Sequence, residues 1–167
     1  SYTGNWKVKL LTGGNLTITN LGNSAGGIDI FLVGGGGKGG SGADYVAQSS
    51  RGGSGGGGGS VTTVTKFPAS LSTTYKIEIG AAQNPTYWKV GDTIYFGANK
   101  GSNGCTPNWD YGINGRESCY GAGGAAYSHS NFRGAANVNA TKGSDGGKGS
   151  SHSSGKDGTY EFHGSSG

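Results

Sequence analysis

The sequence predicts an all-β fold with almost no helix, and three observations carry that expectation. Short alternating or wholly apolar stretches recur along the chain, set apart by Gly- and Asn-containing turn signals. No stretch places apolar residues at helical spacing over three turns. Glycine supplies 39 of the 167 residues, where an average protein has about 7%. With only 3 prolines and no strict Gly-X-Y register, the chain is not collagen. Charged residues are 13%, too few for the charge-driven disorder that low hydrophobicity would otherwise suggest. What is left is a glycine-laden, β-rich chain with room for one domain.

The expected strands follow in order. Residues 6–10, Trp-Lys-Val-Lys-Leu, alternate, and residues 16–19 follow the turn signal Gly13-Gly14-Asn15. Residues 28–33 are strongly apolar and predict a strand at the centre of a sheet. Residues 61–65 and 75–79 have period-two character, and residues 93–96 and 159–162 complete the set. The chain therefore divides into residues 1–100, mainly strands with two glycine tracts, and residues 101–167. The second part holds an aromatic loop region and a Gly/Ser-rich C-terminal portion, all within a single glycine-rich β domain.

Charge and hydropathy exclude several partners. The 13 Lys and Arg against 9 Asp and Glu are scattered singly, so no nucleic-acid-binding stripe is expected. The longest apolar run, residues 28–33, falls far short of the ~20 residues of a membrane helix, so no membrane insertion is expected.

Between the strands lie glycine tracts at residues 34–42, 52–59, 121–124 and, more diffusely, 143–158. Two readings are open from the residues alone. Glycine loses the most entropy on ordering, which favours a flexible linker. Glycine is also the residue that packs extended threefold helices side by side without side-chain clash. Such segments would satisfy their backbone groups by exchanging hydrogen bonds laterally.

The run Ile28-Asp29-Ile30-Phe31-Leu32-Val33-Gly34-Gly35-Gly36-Gly37 resembles the signature of glycine-rich domains in bacteriophage tail-fibre and tail-tip proteins. In that family a glycine tract leads into a Thr/Val strand and then a strand ending in Ile-Gly. Here residues 52–59 lead into 61–65, and Tyr75-Lys76-Ile77-Glu78-Ile79-Gly80 fills the later slot. Gly91-Asp92-Thr93-Ile94-Tyr95-Phe96-Gly97 is similar to a further strand of the family, and the match spans roughly residues 15 to 100. The resemblance implies a small jelly-roll-like β-sandwich from which glycine segments extend as packed polyglycine helices. It also implies a receptor-binding role, as an adhesin in a virion tail. The implied partners are a bacterial cell-surface glycan or protein, together with further copies of the chain or other subunits of a fibre. A structural alternative is a subunit of an extracellular filament or matrix, assembling through β edges and glycine-rich segments.

Two motif matches are products of composition. Gly34-x-Gly36-x-x-Gly39 follows a strand as a dinucleotide fingerprint does, but no helical pattern follows it. Residues 52–56 match the Gly-x-Ser-x-Gly elbow without the strand before it or the helix after it. His129, His152 and His163 sit in Ser/Gly-rich or terminal surroundings, and Asp110, Asp145 and Asp157 lack calcium-loop spacing. No cofactor, metal or enzymatic activity is therefore expected.

The informative region is residues 83–132, where aromatics lie among Asn, Gly, Ser and Asp. Such mixtures suit glycan or protein contact: flat apolar faces beside adaptable hydrogen-bonding groups. The expected contact residues are Tyr87, Trp88, Trp109, Tyr111, Tyr120, Tyr127 and Phe132, with Arg116 and Arg133 as guanidinium forks. Tyr95 and Phe96, neighbours on a strand, are expected to split, one of them plugging the core. Cys105 and Cys119 bracket residues 106–118. Joined, they would close a loop worth ~3 kcal/mol; in a reducing compartment both would stay thiols.

Overall fold

Alternation decides which way each strand faces, and long-range pairing decides what it faces. The computed structural model describes residues 9–10, 12–21, 27–41, 54–105, 121–127 and 137–146. Seven strands form there: β1 (Gly14–Thr17), β2 (Ile28–Val33), β3 (Val61–Phe67), β4 (Thr74–Glu78), β5 (Thr86–Val90), β6 (Thr93–Ala98) and β7 (Asn137–Thr141). They make two antiparallel sheets, ordered β1-β4-β5-β6 and β2-β3-β7, with no helix among the described residues.

The sheets face each other as a small sandwich. Its core takes Ile30, Leu32, Val64 and Phe67 from one sheet and Tyr75, Ile77, Trp88, Phe96 and Ala98 from the other. Phe67 is the hub, with ring centroids of Tyr75, Trp88, Tyr95 and Phe96 at 5.8, 6.1, 6.3 and 5.3 Å. Truncating a buried ring of this kind to Ala typically costs about 3–5 kcal/mol. A buried hydrogen bond also ties the layers, Thr62 Oγ1 donating to the Gly97 carbonyl at 2.7 Å.

Several expectations are corrected by the pairing. Among the described strands β2 lies at the edge of its sheet, not at the centre, and its apolar character serves one face only: Ile30 and Leu32 are buried while Phe31 is 66% exposed. The first described strand is Gly14–Thr17, earlier than expected, and Lys9 and Leu10 are not in a strand. The rest of the expected strand at 6–10 and that at 159–162 lie outside the described residues apart from those two. β5 and β7 were not anticipated. β5 lies in the stretch read as aromatic loop, and β7 is rich in asparagine, which is disfavoured in strands. Pairing with β4 and β6, and with β3, outweighs these local signals.

Two register shifts shape the sandwich. One lies between Ile28 and Ile30 on β2, opposite Lys66 of β3, which has φ 58°. The Lys66 N–H is satisfied by Asp29 Oδ1 at 2.9 Å. The other sits between Trp88 and Lys89, opposite Tyr95. It turns Tyr95 onto Phe67, so Tyr95 and Phe96 both reach the aromatic hub despite being neighbours on a strand. β5 and β6 are joined through Gly91, whose φ of 56° suits the first central position of a tight hairpin turn.

The glycine tracts are ordered and packed. The first (34–40) runs antiparallel to the second (54–60): Gly34, Gly37 and Gly40 donate to the carbonyls of Ser60, Gly57 and Ser54 at 2.9, 2.7 and 2.8 Å. Ser54, Gly57 and Ser60 donate in turn to Cys105, Ser102 and Asn99 of a third tract (99–105) at 3.1, 2.9 and 2.8 Å. Gly101 and Gly104 return bonds to Gly35 and Lys38 of the first, at 3.0 and 2.7 Å. A fourth tract (121–124) donates from Gly121 and Gly124 to Gly55 and Gly58. A fifth (142–146) donates from Gly143 and Gly146 to Gly124 and Gly121, and accepts from Gly58 at Ser144. Partners recur every third residue, the repeat of a threefold extended helix.

Glycine is needed here for closeness, not for backbone freedom. Among the described glycines only Gly27 and Gly91 have positive φ. A methyl built on Gly101 would instead overlap the Gly57 carbonyl, and one on Gly59 would overlap that of Gly34. Serines occur where the hydroxyl joins the lattice: Ser54 and Ser60 Oγ accept the N–H groups of Cys105 and Asn99, both at 2.7 Å.

Two measurements check this lattice. Gly101→Ala should lower the thermal midpoint by several degrees, whereas Ala at exposed Ser102 in the same tract should change it little; equal small effects would mean that the tracts are linkers. Asp145 Oδ1 accepts from Lys142 Nζ at 2.8 Å and from the Gly123 N–H at 2.7 Å. These two bonds, Lys142 first, hold its carboxyl below the ordinary carboxylate range. The contact therefore persists at neutral pH and is lost only as pH falls through that lowered value. The Gly123 amide shift, followed by NMR during acid titration, should inflect below the ordinary Asp value of ~3.9.

Candidate ligand-contact surface

The glycine lattice runs from the sheets toward one end. The first and third tracts leave β2 and β6, the second enters β3, and the fifth leaves β7. Residues 40, 54, 105, 121 and 146 consequently lie at the end away from the sheets. The chain departs at Cys105 and re-enters at Gly121, beside Ser54 and Gly55 respectively. Both feet of residues 106–120 are thereby anchored at that tip. Cys105 is disulfide-bonded, and Cys119 is the chain's other cysteine.

A second surface forms on the outer face of the four-stranded sheet. Alternation on β5 turns Tyr87 and Lys89 outward and Trp88 inward. Tyr87 lies opposite both Glu78 of β4 and Gly97 of β6. The Tyr127 ring rests on Gly97, where an added Cβ would sit 2.7 Å from Cε2. This seat sets Tyr127 edge-to-face with Tyr87, centroids 6.1 Å apart at 70°. Lys89 Nζ stands 5.4 Å from the Tyr87 centroid and 2.6 Å from Glu78 Oε2, and Lys76 Nζ is 2.9 Å from Glu78 Oε1. The two lysines, Lys89 first, hold the Glu78 carboxyl below its usual range, and Glu78 raises Lys76. Burial, then the neighbouring Tyr87, pushes the Tyr127 phenol above its ordinary value. The result is two half-buried tyrosines flanked by a row of hydrogen-bond donors and acceptors.

The expected contact residues separate accordingly. Tyr87 and Tyr127, forty positions apart, come together. Trp88 is corrected: it is a core residue, 4% exposed, packed on Phe67 and on Tyr75 at 5.1 Å, because the unanticipated β5 turns it inward. Its indole N–H is buried without a hydrogen-bond partner among these rings. Trp109, Tyr111, Arg116, Cys119, Tyr120, Phe132 and Arg133 lie outside the described residues. Glu78, Lys89 and Gly97 were missed. The i, i+2 spacing of Lys76 with Glu78 and of Tyr87 with Lys89 places each pair on one strand face, but only the pairing of β4 with β5 unites them.

No protein-family model, no curated protein and no solved structure matches the chain.

The seating of Tyr127 on Gly97 is testable by phenol titration. Gly97→Ala should expel the ring and bring Tyr127 ionisation down toward the ordinary ~10. An unchanged titration would show that the glycine does not seat it.

Proposed function

We propose that this chain is a receptor-binding domain of a bacteriophage tail fibre or tail tip, acting by adhesion and not by catalysis. Its target is a bacterial surface glycan or protein. The observation that carries the reading is the geometry of the tip. Five mutually bonded extended segments project from the sandwich as a stiff post. Cys105 and Gly121, which flank the sequence holding Trp109, Tyr111, Arg116 and Tyr120, are both bonded at its far end. A rigid support reduces the entropy lost when a contact loop binds, which is how preorganisation raises affinity. Residues whose individual contacts are weak then act together when several copies engage one cell. The resemblance of residues 28–37 and of the strands that follow to tail-fibre glycine-rich domains supports the same reading.

Replacing Trp109, Tyr111 and Tyr120 together with Ala should abolish binding of the labelled chain to host bacteria. The far-ultraviolet circular dichroism and thermal midpoint should remain those of the parent, because the substitutions lie between the lattice feet. Undiminished binding by the folded triple variant would overturn the tip as the contact surface.

A further inference from the structure

Asn103 is the one asparagine among the described residues that is followed by glycine; the others precede Leu, Pro, Lys, Val or Ala. Asparagine amides are chemically labile. The step before glycine is the most reactive, because no side chain shields the backbone nitrogen that attacks the amide. Asn103 is exposed, so water reaches it. The chain's other such pair, Asn114-Gly115, lies outside the described residues.

The lattice holds both reacting groups at Asn103. Its Oδ1 accepts the Lys38 N–H at 2.9 Å, and the Gly104 N–H donates to the Lys38 carbonyl at 2.7 Å. One residue of the first tract therefore clamps the side-chain amide and the next peptide nitrogen with its own backbone. On one side of this step Ser102 donates to the Ala122 carbonyl at 2.8 Å. On the other, Cys105 donates to Ser54 Oγ at 2.7 Å, and the Ser54 N–H donates to the Cys105 carbonyl at 3.1 Å. Gly104 lies so close to the second tract that an added Cβ would overlap the Ser54 carbonyl. The labile step is thus pinned from both sides.

We propose that Asn103 is a deamidation site gated by the lattice, reactive only while the end of the third tract is lifted from Lys38 and Ser54. In the reaction the Gly104 nitrogen loses its proton and attacks Asn103 Cγ. The bond from Cγ to the amide nitrogen breaks, and ammonia leaves with that proton as a succinimide ring closes. Water then opens the ring at either carbonyl, giving aspartate or isoaspartate at position 103. The clamp opposes the first step twice. The departing proton is engaged by the Lys38 carbonyl, and the extended threefold backbone must turn to bring the nitrogen onto Cγ. Opening the few bonds at the end of one tract releases both restraints, so the gate is local and does not need global unfolding.

The two products differ in consequence. Asp145, also followed by glycine, shows a carboxylate in the same role in the fifth tract. Its Oδ1 accepts the Gly123 N–H at 2.7 Å while Gly146 donates to the Gly121 carbonyl at 2.8 Å. An ordinary aspartate at position 103 therefore keeps the clamp. Isoaspartate instead routes the main chain through Cβ and Cγ and lengthens it by a carbon, so Gly104 and Cys105 fall out of register with Lys38 and Ser54. This inference does not depend on the receptor-binding reading.

Peptide mapping by mass spectrometry, after incubation of the full chain at mildly alkaline pH, tests the gate. Asn103 in the folded chain should deamidate more than about tenfold slower than in the same chain held in denaturant, because a reaction of the open form follows its population. Ser54→Ala removes the acceptor of the Cys105 N–H but keeps the Cβ, and should speed the reaction at position 103 several-fold; circular dichroism checks that it is folded. Amide hydrogen exchange of Gly104 in the parent is an independent measure of the same opening, and its protection should match the ratio of folded to denatured rates. Equal rates in the folded and denatured chains, a folded Ser54→Ala variant no faster than the parent, or a Gly104 amide without protection would each overturn the proposal.

Discussion

The structure depends on one constraint: an N–H to carbonyl bond between extended segments at every third residue, closed so tightly that at most of the glycines a Cβ would overlap a neighbouring backbone. Ordering a residue costs about 1–2 kcal/mol of backbone entropy, and glycine has the most to lose. A single exposed hydrogen bond does not offset that cost. The tracts are ordered because each is bonded on several sides, with the second tract joined to all four others. The sandwich supplies the starting alignment. β2, β3 and β7 are already spaced as strands, ~4.8 Å apart, when they give way to the first, second and fifth tracts. The sheet thus acts as a template for the lattice, and the loop from β4 to β5 clasps its first tract through Gln83 and Asn84.

The aromatic hub holds that template rigid. Phe67 gathers rings from β4, β5 and β6, and Thr62 bonds across to Gly97, so adjacent stretches of β3 fix both the sheet spacing and the start of the second tract. The same Gly97 that accepts the Thr62 bond on its carbonyl carries the Tyr127 ring on its outer side. Core, lattice and the tyrosine surface are therefore coupled through a few positions on β3 and β6. A small side chain at residue 97 is required by packing on the outer face, not by backbone conformation.

Charge divides the molecule further. The outward charges of the four-stranded sheet are compensated locally, with Glu78 between two lysines. Such exposed pairs contribute little to stability. Their consequence is solvation: that face stays wet and presents its tyrosines amid hydrogen-bonding groups. At the tip, the lattice bonds at Cys105 and Gly121 hold the feet of residues 106–120 independently of the disulfide at Cys105.

What the sequence determined by itself was local: β class from alternation and the positions of β2, β3, β4 and most of β6, with linker and packed readings of the glycine tracts both left open. The register between distant segments was not legible, and that register decided the rest. It put β2 at the edge among the described strands although its residues read as central, drew Asn137–Thr141 into a strand against its propensity, and sent Trp88 into the core while leaving Tyr87 outside. It also chose which carbonyl each glycine meets and brought Tyr127 to Gly97. Alternation is a property of neighbours in the chain, so a sequence displays it; pairing across dozens of residues follows from the packing free energy of the whole and exists only once the chain has folded.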